Sequence, residues 1–299
     1  MRKIKISELA AKRMNETAGN AAETKKKEHK PRGTAGKHGD RIKPALQVIS
    51  RTDTGLCRKS NQDALILGEN LVGIADGMGG HNGGETASAG VRDGLLRELK
   101  NAAPSIELLE KAVRTVNREL WDMQDRDDSL AGMGTTLTVL WAAGQEMLLA
   151  HVGDSRAYLL RNGEFKRITA DHSMVAEMVR RGMLTEEQAA CHPMRNYITR
   201  AVGTDKEIEA DLISIPREKG DRWLICSDGL HGLVPQDELE RLTASDNPEE
   251  AADQMVRLAL DAGGRDNISL ILVLDDGPQN GPDTDRAEQP ADGETEAAK

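Results

Sequence analysis

Aromatic side chains are almost missing from this sequence: Phe, Trp and Tyr together make up 2% of 299 residues. So little ring surface leaves no stacking platform for bases, and nucleic acid is not an expected partner. Cysteine is nearly as scarce. Cys57, Cys191 and Cys226 are widely spaced and in no Cys-x-x-Cys arrangement, which argues against a disulfide framework or a cysteine-held zinc site and fits a reducing compartment. Free, buried thiols are the expectation. No apolar run approaches the roughly 18 to 20 residues that span a bilayer, and the charged N-terminal stretch lacks the apolar segment of a signal peptide. The expected location is the cytoplasm.

Charge, by contrast, is plentiful and unevenly placed under a net charge of −10. Residues 1–44 carry thirteen Lys or Arg against five Asp or Glu, including Lys25-Lys26-Lys27. With few large apolar residues to offset ordering entropy, this segment reads as a disordered basic extension. It could meet an acidic partner, nucleic acid or an anionic membrane surface, although a solubilising tail is the simpler reading. From Asp275 onward eight acidic residues face two basic ones, so 276–299 is expected to be a disordered acidic tail. One domain, 45–275, lies between.

Within that domain, short apolar runs predict strands at 46–50, 64–67, 71–75, 135–141, 146–151, 157–161, 165–168, 211–215, 223–227 and 267–274. Turn dipeptides such as Asn162-Gly163 and Ala143-Gly144 favour antiparallel hairpins. Helical periodicity predicts 85–100, 106–125, 173–181, 185–190, 236–243 and 248–262, with start signals at Pro104-Ser105 and Asn247-Pro248 and a stop at Gly263-Gly264. Strands and helices cluster rather than strictly alternate, which predicts an α+β layered fold.

Asp76-Gly77 and Asp228-Gly229, taken singly, are ordinary turn formers. As a set, Asp63, Asp76, Asp154, Asp228 and Asp266 sit at the ends of strand-like runs, where they can converge on one edge of a layered sheet. Bringing them together without cations is repulsive and raises their pKa values. A hard divalent ion removes that penalty, and an all-oxygen ligand set without His or Cys points to Mg²⁺ or Mn²⁺ rather than Zn²⁺. Two such ions about 3.5–4 Å apart suit in-line displacement at phosphorus. Arg58, five residues before Asp63, offers a planar fork for phosphate, although alone it would pass for a surface arginine. The Gly-rich run 76–84 lacks the Lys-Ser/Thr ending of a nucleotide P-loop; it reads as backbone that approaches a metal closely, with the Gly77 carbonyl as a candidate ligand.

Eight ordered blocks, Arg58–Asp63, Ala75–Gly80, Gly134–Thr136, His151–Arg156, Asp171–Ser173, Asn196–Arg200, Cys226–Gly229 and Gly264–Asn267, cover the span from about 46 to 274. Through them the chain resembles the metal-dependent protein serine/threonine phosphatases of type 2C in their short bacterial form. The resemblance implies a four-layer α-β-β-α sandwich, that is, a central antiparallel β-sandwich flanked by helices, with a small flap subdomain at about 173–199. It also implies roles. Asp76 would bridge two ions, the Gly77 carbonyl would complete one shell, and Asp228 and Asp266 would hold the other ion. Asp63 would act as a weaker ligand or through water, and Asp154 with Asp228 would hold a looser third ion. Arg58 would bind the substrate phosphate, and Asn267 would orient its aspartate neighbour or a metal water.

In one respect the chain departs from the eukaryotic pattern, which has a histidine directly after Asp-Gly; here Met78 stands there and cannot donate a proton. His81 is the nearest candidate general acid, weighed equally against a loop histidine that merely lines the channel. His151, inside an apolar run, reads as a satisfied core histidine, and the Met174, Val175, Met178 and Val179 stripe of the flap reads first as packing. Expected partners are phosphorylated proteins, including a serine/threonine kinase or a regulator of a sigma-factor switch, met by a monomer. The competing reading from another class is a pseudophosphatase that docks phosphoproteins without turnover.

Overall fold

Alternation of side chains along the strands settles the layering, because residues i and i+2 of a strand share a face. The computed structural model describes residues 46–79 and 83–278. Eleven strands are present among them: β1 (Leu46–Asp53), β2 (Asp63–Leu67), β3 (Leu71–Met78), β4 (Gly134–Thr135), β5 (Leu137–Ala143), β6 (Glu146–Val152), β7 (Arg156–Arg161), β8 (Glu164–Arg167), β9 (Asp211–Pro216), β10 (Arg222–Cys226) and β11 (Ile268–Asp275). They form two sheets with every pairing antiparallel, one in the order β1-β11-β10-β7-β8 and the other β2-β3-β5-β6-β9, with β4 paired to β3.

Helices cover both outer faces. Helices α1 (Gly83–Glu98) and α2 (Ile106–Gln124) bury Val91, Leu95, Val113, Val116 and Leu120 against Ile66, Val139, Leu148 and Ala150 of the second sheet. On the far side α6 (Gln236–Thr243) and α7 (Pro248–Asp261) set Leu239, Leu242, Ala252 and Met255 against Leu224, Leu270 and Leu272 of the first. Between the sheets lie Ile74, Leu140, Leu149, Trp223, Ile225, Ile271 and Val273. The run Ile268–Val273 therefore feeds two cores from one strand, its even-numbered members facing helices and Ile271 and Val273 facing the other sheet. This is the expected α-β-β-α sandwich.

Local signals place the turns. Asn162 (φ 52°) and Gly163 (φ 80°) both take the left-handed region that a two-residue type I′ hairpin demands between β7 and β8. Ser105 caps α2 by accepting from the Leu108 N–H, and Asn247 caps α7 with Pro248 in its first turn.

The flap, 173–199, carries α3 (Met174–Arg180), capped by Ser173, and α4 (Glu186–Ala190), whose Thr185 and Gln188 form a capping box. Its two ends are stitched together by an isolated bridge between Ser173 and Ile198 and by the Met174 N–H donating to the Tyr197 carbonyl. Of the expected apolar stripe only Val175 is fully buried.

Two expectations need correction. Cys57 and Cys191 are exposed, and only Cys226 is buried: Cys57 lies on the β1–β2 loop and Cys191 just past the end of α4, outside the strands that form the sandwich. The predicted single strand 135–141 is broken at Thr136 into β4 and β5. The basic segment 1–44 and nearly all of the acidic one lie outside the described residues. No helix of the described residues is long and apolar enough to cross a membrane.

Candidate metal centre

The sandwich topology brings the five aspartates to one end. Asp63 opens β2 and is the direct antiparallel partner of Asp76 in β3, so the two side chains share a face. Asp154 sits in the β6–β7 turn, where the chain crosses from one sheet to the other. Asp228 begins the short helix α5 (Asp228–His231) that follows β10, and Asp266 lies in the loop that leads into β11, the neighbour of β10.

Each backbone position is braced. The Asp76 N–H donates to Thr136 Oγ1 at 3.0 Å, and Thr136 Oγ1 shares a hydrogen bond with Ser155 Oγ at 2.8 Å. Ser227 Oγ donates to Asp63 Oδ2 at 3.0 Å. The Asn267 N–H donates to Asp266 Oδ1 at 2.8 Å. His231 Nε2 donates to the Asp154 carbonyl at 3.0 Å, tying the helix that begins with Asp228 to the turn that carries Asp154. Gly77 admits no side chain: a Cβ there would collide with the backbone of Gly84 and lie 2.6 Å from the Gln62 carbonyl.

The electrostatics are those of crowded, buried carboxylates. Burial, followed by the charges of Asp63, Asp228, Asp154 and Asp266, pushes Asp76 well above the usual carboxylate range. Asp228 is pushed up to about 8, by burial first and then by Asp154, Asp266 and Asp63. Asp154 rises to about 7, through burial and then Asp171. Burial likewise raises Asp63, against the hydroxyls of Ser269 and Ser227. Arg58 answers them from the rim, its Nη2 2.6 Å from Asp266 Oδ2; that hydrogen bond raises the arginine's own pKa.

Among the described residues, no group of three or more His, Cys, Asp or Glu side chains is already closed up as a ligand set. The donor chemistry nevertheless fits a hard divalent ion. Asp63 Oδ1 is buried with no hydrogen-bond partner, an arrangement that costs stability unless something positive meets it. The carboxylates that raise one another's pKa supply oxygen donors only, which suits Mg²⁺ or Mn²⁺.

A family model for protein phosphatase 2C matches residues 57–272. The chain belongs to the protein phosphatase 2C family. It is 41% identical to the serine/threonine protein phosphatase PstP of Mycobacterium tuberculosis over 238 residues, 78% of this chain and 46% of that protein; the chain thus spans about half the length of that relative. It is 38% identical over 249 residues to the serine/threonine phosphatase stp of Listeria monocytogenes, covering 78% of this chain and 97% of the relative. Among solved structures, the M. tuberculosis phosphatase PstP/Ppp superposes with a TM-score of 0.73 at 38% identity, over 77% of this chain and 99% of that one. The PstP catalytic domain in complex with two manganese ions gives 0.71 at 37% identity, over 76% and 97%.

In this phosphatase 2C fold the residues singled out from sequence fall into four groups. Arg58, Asp63, Asp76, Asp154, Asp228 and Asp266 act on one another electrostatically at one end of the sandwich. Asn267 lies beside them, but its side chain serves the β1–β2 loop: Nδ2 donates to the Thr54 and Ser60 carbonyls and Oδ1 accepts from the Gln62 N–H. His81 lies outside the described residues. His151 is fully buried with both ring nitrogens engaged, by Thr138 Oγ1 at 2.9 Å and the Ala170 carbonyl at 3.2 Å.

Sequence reasoning missed Thr136, Ser227 and His231 as braces: Thr136 and Ser227 lie within matching blocks, Ser227 directly before Asp228, whereas His231 lies two residues past its block and gave no signal. It also missed a cavity of about 640 Å³ lined by Asp154, Asp228 and Asp266 together with Val175, Val179 and Cys191 of the flap.

Proposed function

We propose that this chain hydrolyses phosphoserine and phosphothreonine monoesters in proteins with the help of Mn²⁺ or Mg²⁺. The observation that carries the reading is the convergence of Asp63, Asp76, Asp154, Asp228 and Asp266 from separate elements, with raised pKa values at Asp63, Asp76, Asp154 and Asp228 and an orphaned buried oxygen on Asp63. Their acidity is the wrong way round for a free-standing surface cluster and the right way round for a cation site.

Asp76 and the Gly77 carbonyl would hold one ion, Asp76, Asp228 and Asp266 a second, and Asp154 with Asp228 a looser third, with Asp63 as a weaker ligand. When bound, such ions lower the pKa of a coordinated water and neutralise charge on phosphoryl oxygens. Arg58 is about half exposed, and apart from its bond to Asp266 its guanidinium has no partner among the described residues; it would fork onto phosphate oxygens. Asn267 holds the loop on which Arg58 sits, and its backbone N–H fixes Asp266. Met78 carries no transferable proton, so His81 is the proposed donor to the leaving alkoxide.

The physiological setting is proposed on the same footing. Substrates would be phosphorylated proteins in the cytoplasm, a serine/threonine kinase among them, with the chain acting as a monomer. Manganese-supported release of phosphate from a phosphothreonine peptide, abolished by chelator and by Asp76→Asn or Asp228→Asn, is the expected result. A rate that persists in excess chelator would remove the reading, and tight peptide binding without turnover at saturating Mn²⁺ would replace it with a docking role.

A further inference from the structure

The cavity under the flap is lined by charges of both signs. Its metal end is acidic, with Asp154, Asp228 and Asp266. Five arginines also line it, and three of them, on β7, β8 and α3, are already committed. Arg156 is clamped by Asp171, with Nη2 2.7 Å and Nε 3.1 Å from its carboxylate oxygens. Arg167 stands 3.9 Å from both Asp171 and Glu186, and Arg180 donates to the Asp171 carbonyl.

Two arginines are left over. Arg195, on the flap after α4, and Arg265, directly before Asp266, both line the cavity, are exposed, and make no ion pair among the described residues. An uncompensated guanidinium in a concave site presents a rigid fork of donors to carboxylate or phosphate and focuses positive potential there. The same lining includes apolar Val175, Val179, Ala189 and Leu233. About 640 Å³ is well within the range of sites that enclose a ligand.

We propose that this cavity is a second anion subsite, in which Arg195 and Arg265 hold an acidic or additionally phosphorylated flank of the peptide whose phosphomonoester lies at the aspartate end. The inference rests on the hydrolase reading for the position of that phosphomonoester. It adds a selectivity that the metal centre alone does not supply: a preference for phosphosites within acidic or multiply phosphorylated segments. Both ligand chemistries present oxygens to the same forks, so the test must separate them.

The probes are fluorescent peptides with a non-hydrolysable phosphonate in place of phosphothreonine. One series is flanked by alanines, one carries paired glutamates two to five residues to either side, and one carries a second phosphonate at those positions. Their binding to the full chain is measured by anisotropy in Mn²⁺. Glutamate or doubly phosphonylated peptides are expected to bind about tenfold tighter than the alanine series, the scale of one or two charge-assisted contacts. The double variant Arg195→Gln/Arg265→Gln should erase that difference, and Arg195→Lys/Arg265→Lys should restore part of it. A gain in the doubly phosphonylated series alone would identify a second phosphate as the ligand; a gain in both would identify acidic flanks generally. Equal binding of all three series by the wild-type chain, or a preference that survives the double Gln variant, would overturn the inference. Mn²⁺-dependent hydrolysis of p-nitrophenyl phosphate by the wild-type chain is read alongside, and its absence would remove the hydrolase reading while leaving the binding comparison to stand.

Discussion

Replacing Asn267 with alanine isolates the link between the β11 entrance and the loop that carries Arg58. The side chain is 4% exposed and makes three hydrogen bonds, to the Thr54 and Ser60 carbonyls at 2.9 and 3.0 Å and from the Gln62 N–H at 2.8 Å. These contacts bracket Arg58 on both sides and end one residue before Asp63. Each bond contributes about 1 kcal/mol net, and water cannot easily enter to replace them, so Asn267→Ala should lose about 3 kcal/mol. For a domain of this size that corresponds to roughly 6–12 °C in Tm.

Calorimetry in chelator measures this shift without any contribution from bound cation. In parallel, kcat/KM toward a phosphothreonine peptide should fall at least about tenfold, because Arg58 and Asp63 lose their common anchor. The Leu56 N–H bond to the Gly264 carbonyl at 2.7 Å remains in the variant. If that bond alone sufficed to hold the loop, Tm and kcat/KM would both stay within error, and the bracing role assigned to Asn267 would be wrong.

Gly77→Ala should fail to give folded protein or abolish activity, since the added methyl meets backbone at Gly84 and Gln62; Gly163→Ala, with φ 80° but nothing within 4 Å, should cost only about 1 kcal/mol in urea unfolding. His231→Phe should keep the buried volume but leave the Asp154 carbonyl without its 3.0 Å donor, lowering Tm and weakening Mn²⁺ binding measured by titration calorimetry; unchanged Mn²⁺ affinity would reduce His231 to packing. His151, held near pKa 4 against an ordinary 6.5 mainly by burial and next by the His172 ring 4.9 Å away, is neutral when folded. Its contribution is full above pH 6.5 and is lost as pH falls toward 4, because the unfolded chain takes up the proton first; the loss is about 3 kcal/mol. Asp171 and Asp211 partly offset this, and urea midpoints from pH 7 to 4 should slope less steeply in His151→Gln than in the wild-type chain.

The layers were legible because they rest on local pattern. The nearly continuous apolar runs of β3, β5 and β11, buried on both faces, the Asn162-Gly163 turn, and caps at Ser105 and Asn247 are written in neighbouring residues. What escaped depends on distant partners. The sequence pattern ends a strand at Ala75, but β3 continues to Met78 because β4, almost sixty residues later, pairs with Gly77 and Met78 and places Asp76 and Gly77 inside a ladder. Asp228-Gly229 reads as a turn, yet in the fold it opens a helical turn, with Ser227 at the cap position and its hydroxyl spent on Asp63 instead. The aspartates themselves could be singled out by residue type and position, whereas the bracing by Thr136, His231 and Asn267 and the free charges of Arg195 and Arg265 require knowing which surfaces the fold brings together.

Diffraction from crystals soaked in Mn²⁺, with anomalous differences collected at the manganese edge, addresses the main contention without recourse to turnover. The account predicts anomalous peaks between the carboxylates of Asp76, Asp228 and Asp266, with Asp63 Oδ1 no longer orphaned and Arg58 released from Asp266. Anomalous density absent from this end of the sandwich at millimolar Mn²⁺, or found only at other surface carboxylates, would contradict it.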